Sequence, residues 1–414
     1  MILSGNTVKI ITDKRYSRNR RGNMNDVKVG IIGIGNMGSA HLDCIYKNEI
    51  EGMRVTAVCD TSPERCEYVR KTYSGVAVFE NDGDFFANAD IDAVIVATPH
   101  KYHAELGIIA LEHGLHLLVE KPEDVSVSNA HKLNMAAKRS GKVFGIMFNQ
   151  RTNPLFAKAR ELVKSGSLGG LRRSVWIVTN WYRTQSYYNS GGWRATWNGE
   201  GGGVLLNQAP HNLDLWQWIC GMPETITAFC DVAKYHKIEV EDDVTIFARY
   251  PGGATGTFLT STGEFPGTNR LEISGDLGKL VLENGKMKWW RLERSVQETI
   301  GESTEMSASI PMEYTEIVPD APETAHRGIL QNFSDAVRKG TPLLAPGEEG
   351  VNELMISNAA YCSSWNGNME IKLPLDAENF DGLLAQHIKQ HSESKAAGKS
   401  EQNHGYSKRW QVCW

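Results

Sequence analysis

The feature that most restricts the fold is a glycine-rich turn that joins an apolar strand to a helix. Residues 29–34 have the composition of a buried strand and run into the motif Gly33-Ile34-Gly35-Asn36-Met37-Gly38, after which residues 39–48 have a helical pattern. A second apolar stretch, residues 54–59, ends at Asp60. This order of strand, glycine turn, helix, strand and acid predicts the first half of a dinucleotide-binding Rossmann unit.

Each part of this motif has a physical reason. The first glycine permits a tight turn, the second lets a pyrophosphate approach the backbone, and the third lets helix and strand pack closely. The helix N-terminus favours the anion. Asp60 can accept hydrogen bonds from ribose hydroxyls and repels the additional phosphate of NADP, so NAD is the predicted cofactor, although nearby Arg65 leaves NADP open.

The alternation of strands and helices continues along the chain. A buried-type strand covers residues 91–97, Thr98-Pro99 ends it, residues 102–113 are helical in pattern, and residues 115–119 form another strand. Lys121 follows directly in Glu120-Lys121-Pro122, at the strand end where ligands of parallel sheets bind. From position alone, a solvated surface charge explains this lysine equally well.

The second half of the sequence predicts shorter, turn-bounded strands with several helices. Asn153 is a predicted N-cap ahead of Pro154 for a helix over 153–166. Further strands are predicted at 172–181, 225–232, 243–249, 256–262, 271–274 and 371–373, and helices at 204–219, 323–338 and 346–364. Asn207, His211 and Asp214 are then expected on one face of the 204–219 helix.

Length predicts more than one domain, because 414 residues exceed the roughly 250–300 at which single cores stop growing. We expect a flexible basic tail over 1–26, an NAD-binding domain over 27–150, a substrate and oligomerisation domain over 151–375, and an extension over 376–414. The tail's paired arginines leave an export signal as the alternative. Residues 386–402 are predicted to be flexible, and residues 406–414, with Trp410 and Trp414, to dock on this subunit or a neighbour.

Composition excludes several classes. With 41% hydrophobic and 22% charged residues and no apolar run of about 18 residues, a membrane-spanning protein is not expected. The formal charge of -5 argues against nucleic acid as the main partner. Seven cysteines without CxxC or Cys/His ligand spacing indicate neither a disulfide framework nor a metal site, and fit a reducing cytoplasm.

Several segments together resemble one family. They are the glycine motif, Asp60, VIVATPHKYHAE at 94–105, HGLHLLVEKP at 113–122 and GGGVLLNQAPHNLDL at 201–215. Over residues 27–375 the chain resembles the Gfo/Idh/MocA family of sugar and polyol oxidoreductases, including inositol dehydrogenases and glucose-fructose oxidoreductases. The resemblance implies an α/β protein with an N-terminal Rossmann fold and a C-terminal α/β domain that carries a large, open, mostly antiparallel sheet. It also implies a homo-oligomer, a dimer or tetramer.

The resemblance assigns roles to a few residues. Lys121 corresponds to the lysine that touches the reacting oxygen and His211 to the acid/base histidine, for which a hydrogen-bonded structural histidine is the alternative. Asn207 stands where many members have aspartate; its amide orients a hydroxyl but cannot accept its proton, so a relay through this catalytic position is doubtful. Asp214 is favoured as a structural partner. The implied cofactor-binding residues are Gly33, Gly35, Asn36, Met37, Gly38, Asp60, Thr98, Pro99, His103, Glu120 and Lys121.

Residues 180–197 interleave six aromatic residues with arginine, asparagine and glutamine. Aromatic faces can cover the C–H faces of a pyranose while polar groups bind its hydroxyls, so this stretch predicts carbohydrate binding. A buried sheet rim or a subunit contact is the alternative. The predicted substrate-binding residues are Lys121, Tyr182, Arg183, Tyr188, Trp193, Arg194, Asn207 and His211.

The resemblance therefore implies NAD-dependent hydride transfer between nicotinamide and a secondary alcohol of a sugar, glycoside or polyol. Two alternatives are a redox-assisted glycosidase that keeps its NAD, and a non-catalytic nucleotide or sugar sensor. The presence of both Lys121 and His211 argues against the sensor.

Overall fold

The structure of the chain, a computed structural model, describes residues 26–397. Two sheets organise these residues, each with its own buried core. The predictions for the basic tail before residue 26, for residues 398–402 and for the 406–414 segment lie outside the described residues.

The first sheet has six parallel strands in the order β3-β2-β1-β4-β5-β6, the order of a Rossmann fold. Its central strands are buried on both faces, because helices cover both sides. The elements of this region are β1 Val27–Ile32, α1 Asn36–Tyr46, β2 Met53–Cys59, α2 Pro63–Thr72, β3 Ala77–Phe79, α3 Asp82–Asn88, β4 Ala93–Val96, α4 His103–Glu112, β5 His116–Val119, α5 Val127–Ser140 and β6 Phe144–Ile146.

The second sheet has nine strands in the order β14-β13-β12-β11-β7-β10-β9-β8-β15, and β7 with β10 is its one parallel pair among the described residues. The predicted fold class is thus confirmed. Its elements are α6 Pro154–Lys164, β7 Leu171–Val178, α7 Gln185–Tyr188, α8 Val204–Asn207, α9 Pro210–Cys220, β8 Thr225–Val232, β9 Glu241–Arg249, β10 Thr255–Ser261, β11 Asn269–Gly275, β12 Gly278–Glu283, β13 Lys286–Leu292, α10 Val296–Glu302, β14 Met312–Ile317, α11 Ala325–Lys339, α12 Gly350–Trp365, β15 Ile371–Lys372 and α13 Ala377–Ala397.

One face of this sheet is covered and the other is open. Alternate residues along β9, for example Val244, Ile246 and Ala248, are buried in the second core. The intervening Phe247 is 37% exposed. This alternation is what a sheet with one solvent-facing side requires.

The single helix predicted over 204–219 is wrong, since α8 ends at Asn207 and α9 begins at Pro210. Proline has no backbone N–H and its ring clashes with the preceding turn, so it starts a helix and cannot continue one. Asn207 therefore lies on a different element from His211 and Asp214, and the expected shared helix face does not form.

The flexible segment predicted over 386–402 is also wrong for its described part, because α13 extends to Ala397. Phe380 and Leu384 are buried in the second core. The His387 ring stacks on Trp365 with centroids 4.2 Å apart. A few apolar and aromatic contacts thus hold a helix whose other positions are polar enough to resemble a linker.

The chain returns to the first core after the second sheet. Ile329, Leu330 and Phe333 of α11 are buried among the residues of the first sheet, although they fall within the range expected for the second domain. The helix also carries His326 toward the carboxyl edge of the first sheet, where its ring lies 5.8 Å from that of His41. Within the described residues, none of the helices is both long enough and apolar enough to cross a bilayer.

Candidate active site

The glycine turn has the shape that a dinucleotide needs. Gly33 has φ +91°, and a Cβ there would lie 2.6 Å from the carbonyl oxygen of Ala97. A Cβ on Gly38 would lie 1.8 Å from the Gly33 oxygen, so only glycine lets α1 pack against the turn. A Cβ on Gly35 would meet nothing within 4 Å, which leaves open space above the turn. Asn36 and Met37 begin α1, whose N-terminus favours an anion.

Asp60 is buried at the end of β2 and fixes this turn. Its Oδ2 accepts from the Ile34 amide at 2.7 Å and its Oδ1 from the Ser62 amide at 2.8 Å. Arg65 donates to Oδ2 at 3.3 Å. This guanidinium is occupied by the acid beside it, which fits NAD better than NADP.

The predicted cofactor residues after β4 do not share one role. The buried Thr98 Oγ1 has no hydrogen-bond partner within the described residues and lies beside Gly33, so a ligand donor or acceptor could satisfy it. His103 instead has both ring nitrogens 2.7 Å from backbone carbonyls, those of Pro122 and Thr98. His103 therefore links the segment after β4 to the segment after β5, and Pro99 directly follows Thr98.

Glu120 forms a buried pair with His41. The His41 Nε2 lies 2.7 Å from the Glu120 Oε1, and both side chains are almost fully buried. Burial alone would raise the pKa of Glu120, but the hydrogen bond and charge of His41 outweigh it and lower the pKa to about 2. Burial also lowers the pKa of the neighbouring His326 to about 4. Glu120 is therefore a carboxylate beside Lys121.

Lys121, directly after Glu120 at the end of β5, contacts helix α8. Its Nζ donates to the backbone carbonyl of Asn207 at 2.7 Å. Burial lowers the pKa of the ammonium, while the neighbouring acids Glu120, Glu353 and Glu200 oppose that change. The lysine reaches across from the first domain and remains surrounded by acids.

His211 lies at the second position of α9 and is 9% exposed. Burial lowers the pKa of its imidazole well below the usual value, and the charge of Lys121 adds to the shift. The positive end of α9 disfavours an imidazolium in the same direction. Its Nδ1 has no hydrogen-bond partner among the described residues. The structure therefore provides a neutral imidazole close to a lysine, which can act as a base.

Asn207 is held by its side chain as well as its carbonyl. Its Nδ2 donates to the buried Glu200, and its Oδ1 accepts from the Tyr187 hydroxyl at 3.4 Å. Asp214 is placed differently: it accepts from the buried Arg151 at 2.6 and 2.8 Å. The interpretation of Asp214 as a structural partner agrees with this geometry.

The aromatic stretch divides into exposed and buried residues. Tyr188 is 6% exposed and its hydroxyl bonds Thr262 Oγ1 at 2.8 Å, so it packs in the core and does not face open space. Trp193 is partly exposed, and its ring lies 5.8 Å from that of His100. Tyr182 is 46% exposed.

The two predicted arginines are both constrained. Arg194 donates to the Tyr187 hydroxyl at 2.7 Å and lies over the Trp193 ring. Arg183 donates to the carbonyls of Trp181 and Tyr182. Of the two, Arg194 belongs to the network that includes Glu200, at 3.6 Å.

Four groups near Lys121 were missed by the sequence analysis: His41, Glu200, His326 and Glu353. Glu353 is fully buried on α12, and neither of its carboxyl oxygens has a partner in the described part of the chain. Burial raises its pKa well above the usual range. Of these four, only Glu200 has a feature in the sequence that could have drawn attention to it, because a charged residue inside a run of glycines is unusual. No cluster of potential metal ligands is present among residues 26–397.

The glycine turn, the buried acid after β2 and the Lys121–Asn207 contact define an NAD-binding oxidoreductase. Residues 27–148 match the oxidoreductase family with an NAD-binding Rossmann fold, and residues 156–281 match the GFO/IDH/MocA C-terminal domain. These two regions make up more than half of the sequence. The chain belongs to the Gfo/Idh/MocA family.

The individual relatives have low sequence identity, but the similarity extends over most of each chain. The chain is 22% identical over 81% of its length to a myo-inositol 2-dehydrogenase of Thermotoga maritima, covering 95% of that protein. It is 26% identical over 68% of its length to a D-glucoside 3-dehydrogenase of Escherichia coli, covering 74% of it. Among solved structures, the WlbA dehydrogenase of Chromobacterium violaceum with NADH and UDP-GlcNAcA has a TM-score of 0.73 at 25% identity, over 85% of this chain and 97% of that one.

Proposed function

We propose that this enzyme uses NAD to oxidise or reduce a secondary alcohol of a sugar, glycoside or polyol. The contact of the Lys121 ammonium with the Asn207 carbonyl, beside a neutral His211, carries this proposal. This arrangement supports Lys121 as a hydrogen-bond donor for the reacting oxygen and His211 as a base for its proton.

The cofactor fits the residues around the glycine turn. The space over Gly35, the helix N-terminus of α1 and the Thr98 Oγ1, which has no partner among the described residues, would hold it, and Asp60 would bind its ribose. When bound, NAD supplies the hydride acceptor in oxidation and the donor in reduction. The protein's contribution is binding, orientation and proton transfer.

The proton chemistry follows from the charges of the site. Lys121, as an ammonium, donates to the alcohol oxygen and stabilises the negative charge that develops there. His211, as a neutral imidazole, accepts the hydroxyl proton. In reduction, the protonated His211 returns that proton to the oxygen. Asn207 orients the hydroxyl through its amide oxygen.

The substrate class rests on the relatives and on the walls of the cleft. The relatives compared above are named for inositol and for a D-glucoside, and the solved neighbour holds a nucleotide sugar acid. In this chain, Trp193 is a partly exposed aromatic residue next to His100, and Tyr182 of the same stretch is 46% exposed. The relatives compared above are named dehydrogenases, so they do not support the glycosidase and sensor alternatives.

We also propose a homo-oligomer, a dimer or tetramer, that works in the cytoplasm. The open face of the second sheet carries Phe229 and Phe247, 52% and 37% exposed, and Leu259 and Ile177 beside them. Adjacent apolar side chains on an open sheet favour contact with a second copy. All six described cysteines are free, which suits a reducing compartment. Light scattering of Phe229→Glu against wild type tests the assembly: an unchanged mass would contradict it.

The first test of the activity is absorbance at 340 nm for protein with NAD⁺ across free hexoses, inositols, glycosides and nucleotide sugars. His211→Ala and Lys121→Ala should each lower turnover by a factor of about 10²–10³ without unfolding the protein. Glu313→Gln, an exposed acid on β14, is the control. Near-native turnover in both site variants would refute the assigned roles.

A further inference from the structure

A buried acid, Glu200, lies in the glycine-rich loop before α8. Its side chain is almost fully buried. Its Oε2 accepts from the Ala195 amide at 2.6 Å, and its Oε1 accepts from the Nδ2 of Asn207. Arg194 lies 3.6 Å from the same oxygen. All three of these groups are donors, which favours the carboxylate form of Glu200.

The contact with Asn207 fixes the direction of its amide. Because Nδ2 donates to Glu200, Oδ1 lies on the opposite side of the amide group, where it accepts from the Tyr187 hydroxyl. The Gln208 Nε2 and Arg194 also donate to that hydroxyl, at 3.1 and 2.7 Å, and hold it in place. The Asn207 amide therefore has its donor on Glu200 and its acceptor oxygen on the side of the Tyr187 hydroxyl.

The same loop reaches the cofactor side of the cleft. The backbone carbonyl of Glu200 lies 3.1 Å from the Nδ1 of His100, and the carbonyl of Asn198 accepts from Lys101 at 3.1 Å. Asn207 in turn accepts from Lys121 through its own carbonyl. Glu200 is therefore connected to the lysine through one residue.

We propose that Glu200 is a positioning residue for the proposed hydride transfer. It orients Asn207 as a hydrogen-bond acceptor for the substrate hydroxyl, and it supplies negative charge that balances the Lys121 ammonium. This inference rests on the proposed function for its kinetic part. Its structural part, the coupling of one carboxylate and one amide, does not.

Other titratable or charged groups also lie around Lys121 and affect the pH at which it loses its proton. They are Glu120 from the same segment, Glu353 from α12, Arg194 from the loop, His211 from α9, His326 from α11, and His100 and His103 from the segment after β4. Burial raises the pKa of Glu200, while its hydrogen-bond donors and Lys121 oppose that change. Loss of the Glu200 charge should lower the pH at which Lys121 loses its proton.

The test exchanges the two groups. Glu200→Gln puts two amides in contact, Asn207→Asp puts two buried carboxyl groups in contact, and the double variant restores one of each with their positions exchanged. Both single variants should lower kcat/KM by about ten-fold or more, and the double variant should recover most of that loss, because contacting residues are coupled. The alkaline limb of the pH profile should move to lower pH in Glu200→Gln.

Unfolding in urea, measured on the same four proteins, provides a readout that does not need activity. Glu313→Gln is the matched control for an exposed acid. Additive losses in the double variant would overturn the coupling, and a Glu200→Gln enzyme with wild-type kinetics and pH profile but lower stability would reduce Glu200 to a structural role. If even the wild type forms no NADH with any substrate, the proposed function fails, while the unfolding cycle still decides whether the pair is coupled.

Discussion

Replacing Asp214 with asparagine separates a buried ion pair from proton transfer. Arg151 donates to Asp214 from Nη2 at 2.6 Å and from Nε at 2.8 Å, and the two side chains are 0% and 1% exposed. Gln217 adds a third donor at 3.0 Å. Asp214 lies on the same helix as His211. A role as base predicts a loss of kcat/KM in the variant, whereas a role as ion-pair partner predicts a loss of stability.

The expected cost follows from the geometry. Removing one partner of a buried ion pair costs about 3–5 kcal/mol, because a charge is left without compensation. Arg151 keeps Glu349 as a second acid at 2.5 Å and the Leu344 carbonyl at 3.2 Å. Asparagine also retains one acceptor. The loss should therefore lie near the lower value, about 3 kcal/mol, or roughly a hundred-fold in the unfolding constant.

The assay pairs urea unfolding with steady-state kinetics at a temperature where the variant stays folded. Asp214→Asn should lose stability while kcat/KM stays within a few-fold of wild type, because the ion pair is not part of proton transfer. Glu313→Gln should change the unfolding free energy by no more than about 0.5 kcal/mol. A hundred-fold loss of kcat/KM with unchanged unfolding free energy would refute this reasoning and give Asp214 a part in the chemistry.

Three further results are expected. Gly35→Val should weaken NAD binding, measured by fluorescence titration, with little loss of stability. Gly38→Ala should instead destabilise the fold, because its Cβ would clash with the backbone. Equal losses of stability in the two variants would contradict the open space above Gly35. Because the pKa of His211 is lowered, its imidazole stays neutral as pH falls, so the acidic limb of kcat/KM for oxidation should lie well below pH 6.5. Trp193→Ala should raise KM more than it lowers kcat. Tyr188→Phe should cost about 1 kcal/mol of stability and leave KM unchanged. A larger change of KM in Tyr188→Phe than in Trp193→Ala would make Tyr188 the substrate-binding residue and Trp193 the structural one.

The cofactor half of the fold could be predicted from the sequence because its signals are local. The GxGxxG turn, the acid after the second strand and the apolar runs specify a parallel sheet within short stretches of chain. The structure agrees on each of these strands to within a few residues. Asn153 likewise caps α6 as its sequence predicts, with Oδ1 accepting from the Leu155 amide at 3.0 Å.

The errors arose where tertiary contacts override local pattern. Apolar periodicity continues from Val204 to Ile219, but Pro210 divides it into two helices. The segment after Ala377 reads as polar, yet Phe380 and the ring of His387 are enough to dock it as a helix. Neither the composition nor the hydrophobic periodicity of a segment shows which of its side chains will make tertiary contacts.

Local motifs and the resemblance named some residues of the candidate site, and other residues near Lys121 have no signal in the sequence. Lys121 and His211 stand in recognisable motifs, but Glu353 and His326 lie more than a hundred residues beyond both and enter the cleft on α12 and α11. Nothing in their own neighbourhood of sequence marks them. Their proximity exists only after the chain has returned to the first sheet.

The charge around Lys121 explains how one cleft keeps an ammonium and a neutral imidazole together. Burial disfavours both cations, and the Lys121 charge further disfavours protonation of His211. The carboxylates of Glu120 and Glu200 act in favour of the lysine. At the same pH, Lys121 can therefore stay protonated while His211 is neutral. Both states are needed if the lysine is to donate to a hydroxyl group and the histidine is to accept its proton. Removing either acid should lower the pH at which Lys121 loses its proton. Glu120 and Glu200 therefore control the alkaline limb of the kcat/KM profile, and His211 controls the acidic limb.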